Sequence, residues 1–134
     1  SEPLTAAAAG LDVSTFLVAD TGYNPYTSVL VTSRERWQQS PAEVKGMVDA
    51  VRSGWNAYLQ DPASTNTAML ELNKAMSAQT FTQSALAQSA LIKTSTTERV
   101  GEMTRERWQA LADQLLDIKV IQQPVAVGDL FVSL

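Results

Sequence analysis

The residues best suited to ligand chemistry lie in the segment TGYNPYT, at residues 21–27. Tyr23, Asn24 and Tyr26 surround a proline there, and Gly, Asn and Pro this close together predict a turn. Phenol rings stack on planar molecules, and phenol and amide groups both donate and accept hydrogen bonds. Two interpretations remain open. The rings either cover the edge of a sheet or line a cleft that binds a small ligand.

Three carboxylates are the other candidates. Glu2 lies beside the first turn of a predicted helix, where it either stabilises the helix dipole or contacts a ligand. Asp12 and Asp20 flank a predicted strand, and we interpret them as solvated strand ends. The sequence contains no Gly-rich phosphate loop of either usual form and no acidic run with metal-ligand spacing.

Composition excludes several other kinds of site. The 134 residues include neither cysteine nor histidine, which removes thiolate and Ser-His-Asp catalysis and the commonest transition-metal ligands. The net charge of −4 and the pI near 4.7 argue against a nucleic-acid surface, which needs clustered Lys and Arg. No apolar run reaches the length of a membrane span, and the first residues lack the charged start of a signal peptide.

The elements that would position these residues change character along the chain. Val, Thr and Phe enrichment predicts strands at residues 11–20 and 28–33. A helix precedes them, and helices dominate the rest. We predict helices at residues 41–62, 63–74, 80–93 and 105–118, a loop at 94–102 and a short closing helix or strand in the tail.

The strongest helix, at residues 41–62, has one apolar stripe along one face. The stripe consists of Val44, Met47, Val48, Val51, Trp55, Tyr58 and Leu59. Gly54 lies mid-helix and costs about 1 kcal/mol relative to Ala, so we interpret it as a site of close approach by a neighbouring element. The stripe predicts that Trp55 fills the core.

Two nearly identical heptads, SRERWQQ and TRERWQA, begin at Ser33 and Thr104. Each starts with a good N-cap residue followed by a Glu in the first helical turn. Nothing beyond the seven residues aligns at that separation. The heptads therefore indicate two similar helix starts and not an internal repeat.

The order of motifs resembles a known family. The chain shows EP opening a helix, then DTGYNP, VLVTSRERW, SPAEVKGMVDAVRSGWNAYLQDP, and MTRERWQALADQLLDIKVI before PVAVGDLF. This order closely resembles the C-terminal half of substrate-binding proteins of bacterial ABC transporters, in the class serving nitrate, sulfonate, taurine and thiamine-precursor uptake. The resemblance covers essentially all 134 residues, and less than half of the family's usual length.

The resemblance implies an α/β fold: the helix-rich C-terminal portion of a two-lobed type II periplasmic binding protein, with two or three strands. Residues 1–26 would form the end of the second lobe and the return hinge, and residues 27–134 the helical C-terminal part of the first lobe. Such lobes close on the ligand by hinge motion. Lys119 departs from the family, which commonly has a glycine there.

The resemblance also implies a function without catalysis or a cofactor. The protein would be the solute-binding component of an ABC importer, capturing a small extracytoplasmic solute and delivering it to the permease subunits. The solute would be a sulfonate, taurine, nitrate or a pyrimidine-like molecule, in contact with Glu2, Tyr23, Asn24 and Tyr26. The location would be periplasmic or otherwise extracytoplasmic, with any signal segment outside this chain.

Two alternatives remain. A pyrimidine-forming synthase of the thiamine pathway shares the fold, but it depends on histidine and cysteine-rich segments that this chain lacks. A free-standing helical interaction module is the other. In the family the missing lobe would cover the stripe and the strand at residues 28–33, so we expect self-association through the surface that this lobe normally covers.

Overall fold

The structure is a computed structural model and describes residues 2–93 and 99–134. In these residues, the regular secondary structure consists of helices. The helices in chain order are α1 (Glu2–Ala8), α2 (Arg34–Gln39), α3 (Pro41–Gln60), α4 (Ala63–Leu72), α5 (Ala78–Ile92) and α6 (Arg105–Asp117), with two 3₁₀ helices at Val18–Thr21 and Val127–Asp129. The helix-rich prediction is confirmed. The predicted loop at 94–102 lies partly outside the described residues.

The α/β class with two or three strands is wrong, because no strand occurs at residues 11–20 or 28–33 or elsewhere in the described residues. The first segment is irregular and ends in the 3₁₀ helix at Val18–Thr21, and the second is irregular throughout. The enrichment in Val, Thr and Phe shows only that these segments suit a half-buried sheet surface. A strand also needs a neighbour for its backbone hydrogen bonds. The side chains of these segments are also not covered by a neighbouring element, since Phe16 is 89% exposed and Val31 is 90% exposed.

The helix starts follow the predicted caps. The Ser33 hydroxyl accepts a hydrogen bond from the Arg36 N–H at 3.0 Å, and the Thr104 hydroxyl accepts one from the Arg107 N–H at 3.3 Å. The two heptads are therefore similar helix starts, as predicted. Helix α2 ends before Pro41, since the residue preceding a proline is disfavoured in the α region. Arg36 on α2 forms an ion pair with Glu43 in the first turn of α3.

Helix α3 buries less than its stripe predicts, since none of its residues is fully buried. Trp55 is 40% exposed, so the expectation that its ring fills the core is wrong. A Cβ atom built on Gly54 would meet no described atom within 4 Å. The interpretation of Gly54 as a site of close approach is therefore also wrong within the described part of the chain.

Lys119, two residues after the end of α6, has the left-handed conformation with a φ of 61°. The Val120 N–H donates to the Leu115 carbonyl at 2.9 Å, and the Lys119 N–H donates to the Leu116 carbonyl at 3.0 Å. These are the two hydrogen bonds of a Schellman motif, in which glycine is the usual left-handed residue. Lysine at this position is therefore strained, since its φ of 61° suits glycine better.

Contacts divide the chain into two compact units. The first comprises Ser1–Thr15 and Asp49–Gly101, and the second comprises Phe16–Val48 and Glu102–Leu134. In the first unit, α5 packs against α1 and α4, and the buried residues are Thr80, Phe81, Ser84, Ala85 and Val100. In the second, the 3₁₀ helix at the C-terminal side packs on α6, and the buried residues are Ala112 and Val127. The predicted lobe boundary after residue 26 stays a prediction.

Candidate functional site

The predicted ligand turn lies in the second unit, directly after the 3₁₀ helix at Val18–Thr21. Gly22 ends that helix with a φ of 91°, a left-handed conformation that glycine adopts without steric cost. The Thr21 hydroxyl donates to the Val18 carbonyl at 2.7 Å and closes the same helical turn. Gly22 thus ends the 3₁₀ helix immediately before Tyr23, Asn24 and Tyr26.

Arg107 connects this turn to the first turns of α6. Its Nε donates to the Asn24 carbonyl at 2.6 Å, and its Nη2 donates to Asn24 Oδ1 at 2.7 Å and to the Pro25 carbonyl at 2.9 Å. The guanidinium carbon also lies 4.2 Å from the centre of the Tyr26 ring, within cation–π range. We call Asn24, Pro25, Tyr26 and Arg107 the arginine clamp.

Tyr26 is held from both ends. Its hydroxyl oxygen accepts a hydrogen bond from the Thr104 N–H at 2.8 Å, at the residue that caps α6. Its ring centre lies 5.6 Å from that of Trp108, which in turn stacks on Phe131 with centres 5.8 Å apart and planes 19° from parallel. The turn is therefore ordered by a row of aromatic rings as well as by the clamp.

A small cavity of about 150 Å³ lies beside the clamp. It is lined by Gly22, Asn24, Pro25, Arg107, Ala110, Leu111 and Gln114. Gln114 also fixes the start of the turn, since its Nε2 donates to the Gly22 carbonyl at 2.9 Å. The cavity combines one cationic side chain with two amide side chains, which suits a small anionic or polar group.

The charge of Arg107 is not balanced locally. All three acceptors of its hydrogen bonds are neutral oxygen atoms, and no ion pair with a carboxylate forms within the described residues. Because a guanidinium stays protonated in proteins, the site keeps one positive charge. Such a charge, held by neutral acceptors at a cavity wall, attracts an anion.

The four residues predicted to contact a ligand do not all meet. Asn24 and Tyr26 lie in the arginine clamp, and Tyr23, next to them in the chain, is 41% exposed. Glu2 is exposed at the start of α1 and belongs to the first unit. Nothing in these positions tests ligand binding, so the four assignments stay predictions.

Sequence reasoning missed Arg107, although its signal was present. The residue lies in TRERWQA, three positions after the N-cap Thr104. A cation near a helix N-terminus is unfavourable for the helix dipole, and that local conflict indicates a partner elsewhere. The partner is a turn some eighty residues earlier in the chain, which no local pattern identifies.

Residues 2–93 and 99–134 lack two further kinds of feature. In these ranges no three or more His, Cys, Asp and Glu side chains group closely enough to hold a metal ion. None of the helices described there combines the length and the apolar character needed to cross a membrane.

Comparison with known proteins gives one similarity. The family model described as NMT1/THI5 like matches residues 1–65, slightly less than half of the chain. No curated protein and no solved structure gives a significant match. The matched stretch contains the turn with Tyr23, Asn24 and Tyr26 and continues through α3. Residues 1–65 of this chain are therefore similar to the NMT1/THI5-like family.

Proposed function

We propose that this chain is part of the solute-binding component of an ABC importer, which captures a small extracytoplasmic solute and delivers it to permease subunits. The observation that carries the proposal is the similarity of residues 1–65 to the NMT1/THI5-like family. The motif order from EP to PVAVGDLF supports the same class and extends over the remaining residues. The proposed role is binding, without chemistry, in a periplasmic or otherwise extracytoplasmic location.

The arginine clamp favours an anionic solute within this class. Arg107 keeps its positive charge beside a cavity of about 150 Å³, which is large enough for a nitrate or sulfonate group. Asn24 and Gln114 supply amide groups at the same cavity, and Tyr26 supports the guanidinium from its ring face. A neutral pyrimidine would gain less from this charge, so sulfonates, taurine and nitrate are the preferred candidates.

Titration followed by NMR tests the proposal on the purified chain. Methanesulfonate, taurine and nitrate should shift the backbone amide signals of residues 22–24, 26 and 104–108, with an uncharged aminopyrimidine giving smaller shifts. Arg107→Gln should weaken anion binding about tenfold, since a charge-assisted contact is worth about 1.5–3 kcal/mol. Arg105→Gln is the matched control, because Arg105 lies on the same helix turn and is exposed.

Two outcomes count against the proposal. If no anion shifts the signals of these residues, anion binding at the turn is refuted. If the two arginine substitutions have equal effects, the role of the arginine clamp in binding is refuted. Uptake of a labelled anion that binds, measured in cells with and without the gene, then tests delivery. Unchanged uptake in the deleted strain would refute the transport role.

A further inference from the structure

The first unit contains a separate and larger cavity, of about 550 Å³, between α3, α4 and α5. Its lining is mainly apolar and aromatic: Val51, Gly54, Trp55, Tyr58, Asn66, Met69, Met76, Phe81, Ser84 and Gln88. Small-molecule sites usually have volumes of about 300–1,000 Å³ and a predominantly apolar lining with a few polar groups. The cavity has both properties.

One polar group in this cavity has no hydrogen-bond partner among the described residues. Ser84 is 7% exposed, and its Oγ is buried without a hydrogen-bond partner. A serine in a helix often donates to the carbonyl four residues earlier, and Ser84 does not do so here. A buried hydroxyl without a partner costs about 1–3 kcal/mol, so a ligand that bonds to it recovers that free energy.

The other polar groups limit the kind of ligand. The Tyr58 hydroxyl donates to Asn66 Oδ1 at 3.0 Å, which leaves the amide nitrogen of Asn66 as a donor. Gln88 supplies a second amide, and among the described residues that line the cavity none has a charged side chain. A charged ligand would lose its hydration there without gaining an ion pair. The polar groups therefore select a neutral molecule with one or two hydrogen-bonding atoms.

The aromatic walls limit the shape. The Trp55 and Tyr58 ring centres lie 5.8 Å apart with the ring planes perpendicular, and Phe81 lines the cavity from α5. Met69 and Met76 add flexible thioethers, which pack well against aromatic rings. Aromatic rings and thioethers of this kind pack well against a flat apolar ring, so the walls suit a planar aromatic molecule.

We propose that this cavity binds a neutral, planar aromatic molecule of one or two rings, with a hydrogen-bonding group directed at Ser84 Oγ. The site is distinct from the arginine clamp, and its residues belong to the first unit alone. The proposal does not depend on the proposed transport function.

Indole and indene are suitable probes because they differ by one N–H group. The chain is labelled with 5-fluorotryptophan, and the ¹⁹F signals of its three tryptophans are followed during titration. Trp55 lies in the cavity wall, while Trp37 and Trp108 belong to the second unit and serve as internal controls. Indole should shift the Trp55 signal saturably and bind about fivefold more tightly than indene, a ratio expected for one hydrogen bond.

Substitutions separate this site from nonspecific binding. Ser84→Ala should bring the affinity ratio of indole to indene close to one, while Ser89→Ala, on the exposed face of the same helix, should leave it unchanged. Gly54→Leu should abolish binding of both probes, since it places a side chain at the cavity without breaking α3. Indole-3-carboxylate should bind at least tenfold more weakly than indole.

The proposal is overturned if 10 mM indole leaves the Trp55 signal unchanged, or if Ser84→Ala preserves the preference for indole. It is also overturned if the Trp55 signal changes with protein concentration and added indole does not reverse that change. In that case a second copy of the chain, and not a small molecule, occupies the cavity.

Discussion

Replacing Arg107 by alanine removes the whole arginine clamp in one step. Three hydrogen bonds, at 2.6, 2.7 and 2.9 Å, and the contact with the Tyr26 ring all depend on this side chain. Each bond joins α6 to a turn more than eighty positions away in sequence. We therefore expect Arg107→Ala to destabilise the second unit more than a surface substitution would.

The size of the effect follows from partial exposure. A hydrogen bond from a charged donor contributes about 1.5–3 kcal/mol when buried. Arg107 is only partly buried, and water replaces part of each lost bond, so about 1 kcal/mol per bond is appropriate. The cation–π contact adds about 0.5 kcal/mol, and the freed side chain recovers about 1.5 kcal/mol of conformational entropy. The expected loss in the free energy of unfolding is roughly 2 kcal/mol.

Urea denaturation measures this loss. The ¹⁹F signal of 5-fluorotryptophan at Trp108 reports on the second unit, because the Trp108 ring contacts those of Tyr26 and Phe131. Arg105→Ala is the control and should change the free energy of unfolding by less than about 0.5 kcal/mol, as for other exposed positions. Equal effects of the two substitutions would refute the stabilising role of the clamp.

A double-mutant cycle isolates one bond of the clamp. Asn24→Ala removes the side-chain acceptor at 2.7 Å and keeps the backbone carbonyl that accepts from Nε. The coupling energy between Asn24→Ala and Arg107→Ala should be about 1 kcal/mol. A coupling energy indistinguishable from zero would mean that the bond between Arg107 and Asn24 contributes nothing in solution.

Four further substitutions test other parts of the structure. Lys119→Gly should stabilise the chain by about 0.5–1 kcal/mol, since lysine at a φ of 61° is strained, and a thermal melt measures the gain. Gly54→Ala should increase the free energy of unfolding by about 1 kcal/mol and so raise the melting temperature, because the added methyl group improves helix propensity and meets no described atom. Val127→Ala should cost about 2 kcal/mol in urea denaturation, because Val127 is 1% exposed. The chain should self-associate in light scattering, and Val31→Lys should weaken that association, because Val31 is 90% exposed in an unpaired apolar segment.

Each of these has a matched control or a contrary result. Val132→Ala, at a site 45% exposed, should cost well under half as much as Val127→Ala. A loss of stability in Lys119→Gly would show that the lysine side chain makes a stabilising contact, and a loss in Gly54→Ala would show a neighbour at that position. A monomer at high micromolar concentration would contradict self-association and favour the free-standing helical module.

The helices were predictable because their signals are local. Ser33 and Thr104 were predicted as N-caps, and each side-chain oxygen caps its helix in the structure. Proline at the first position of α3 and apolar spacing along its length predicted a helix within two residues of its observed end at Gln60. Such signals depend on a few neighbouring residues, so the sequence alone is sufficient to place them.

The prediction of strands was wrong because strand pairing depends on residues that are distant in the sequence. Residues 28–33 have the composition of a buried strand, yet composition cannot supply the neighbouring segment that accepts and donates ladder hydrogen bonds. The same limit applies to burial along α3. Its stripe identifies an apolar face, but the sequence does not show which neighbouring element covers that face, and Trp55 is 40% exposed.

The candidate site shows the same division between local and distant information. Proline, glycine and asparagine predicted the turn, and two of its side chains, those of Asn24 and Tyr26, do make specific polar contacts. Their shared partner, Arg107, lies beyond any local pattern. Because that partner is a cation held by neutral oxygen atoms, the turn gains a charge that its own sequence does not contain. The proposed preference for an anionic solute therefore rests on a residue of α6, and it depends on the contact between Arg107 and the turn.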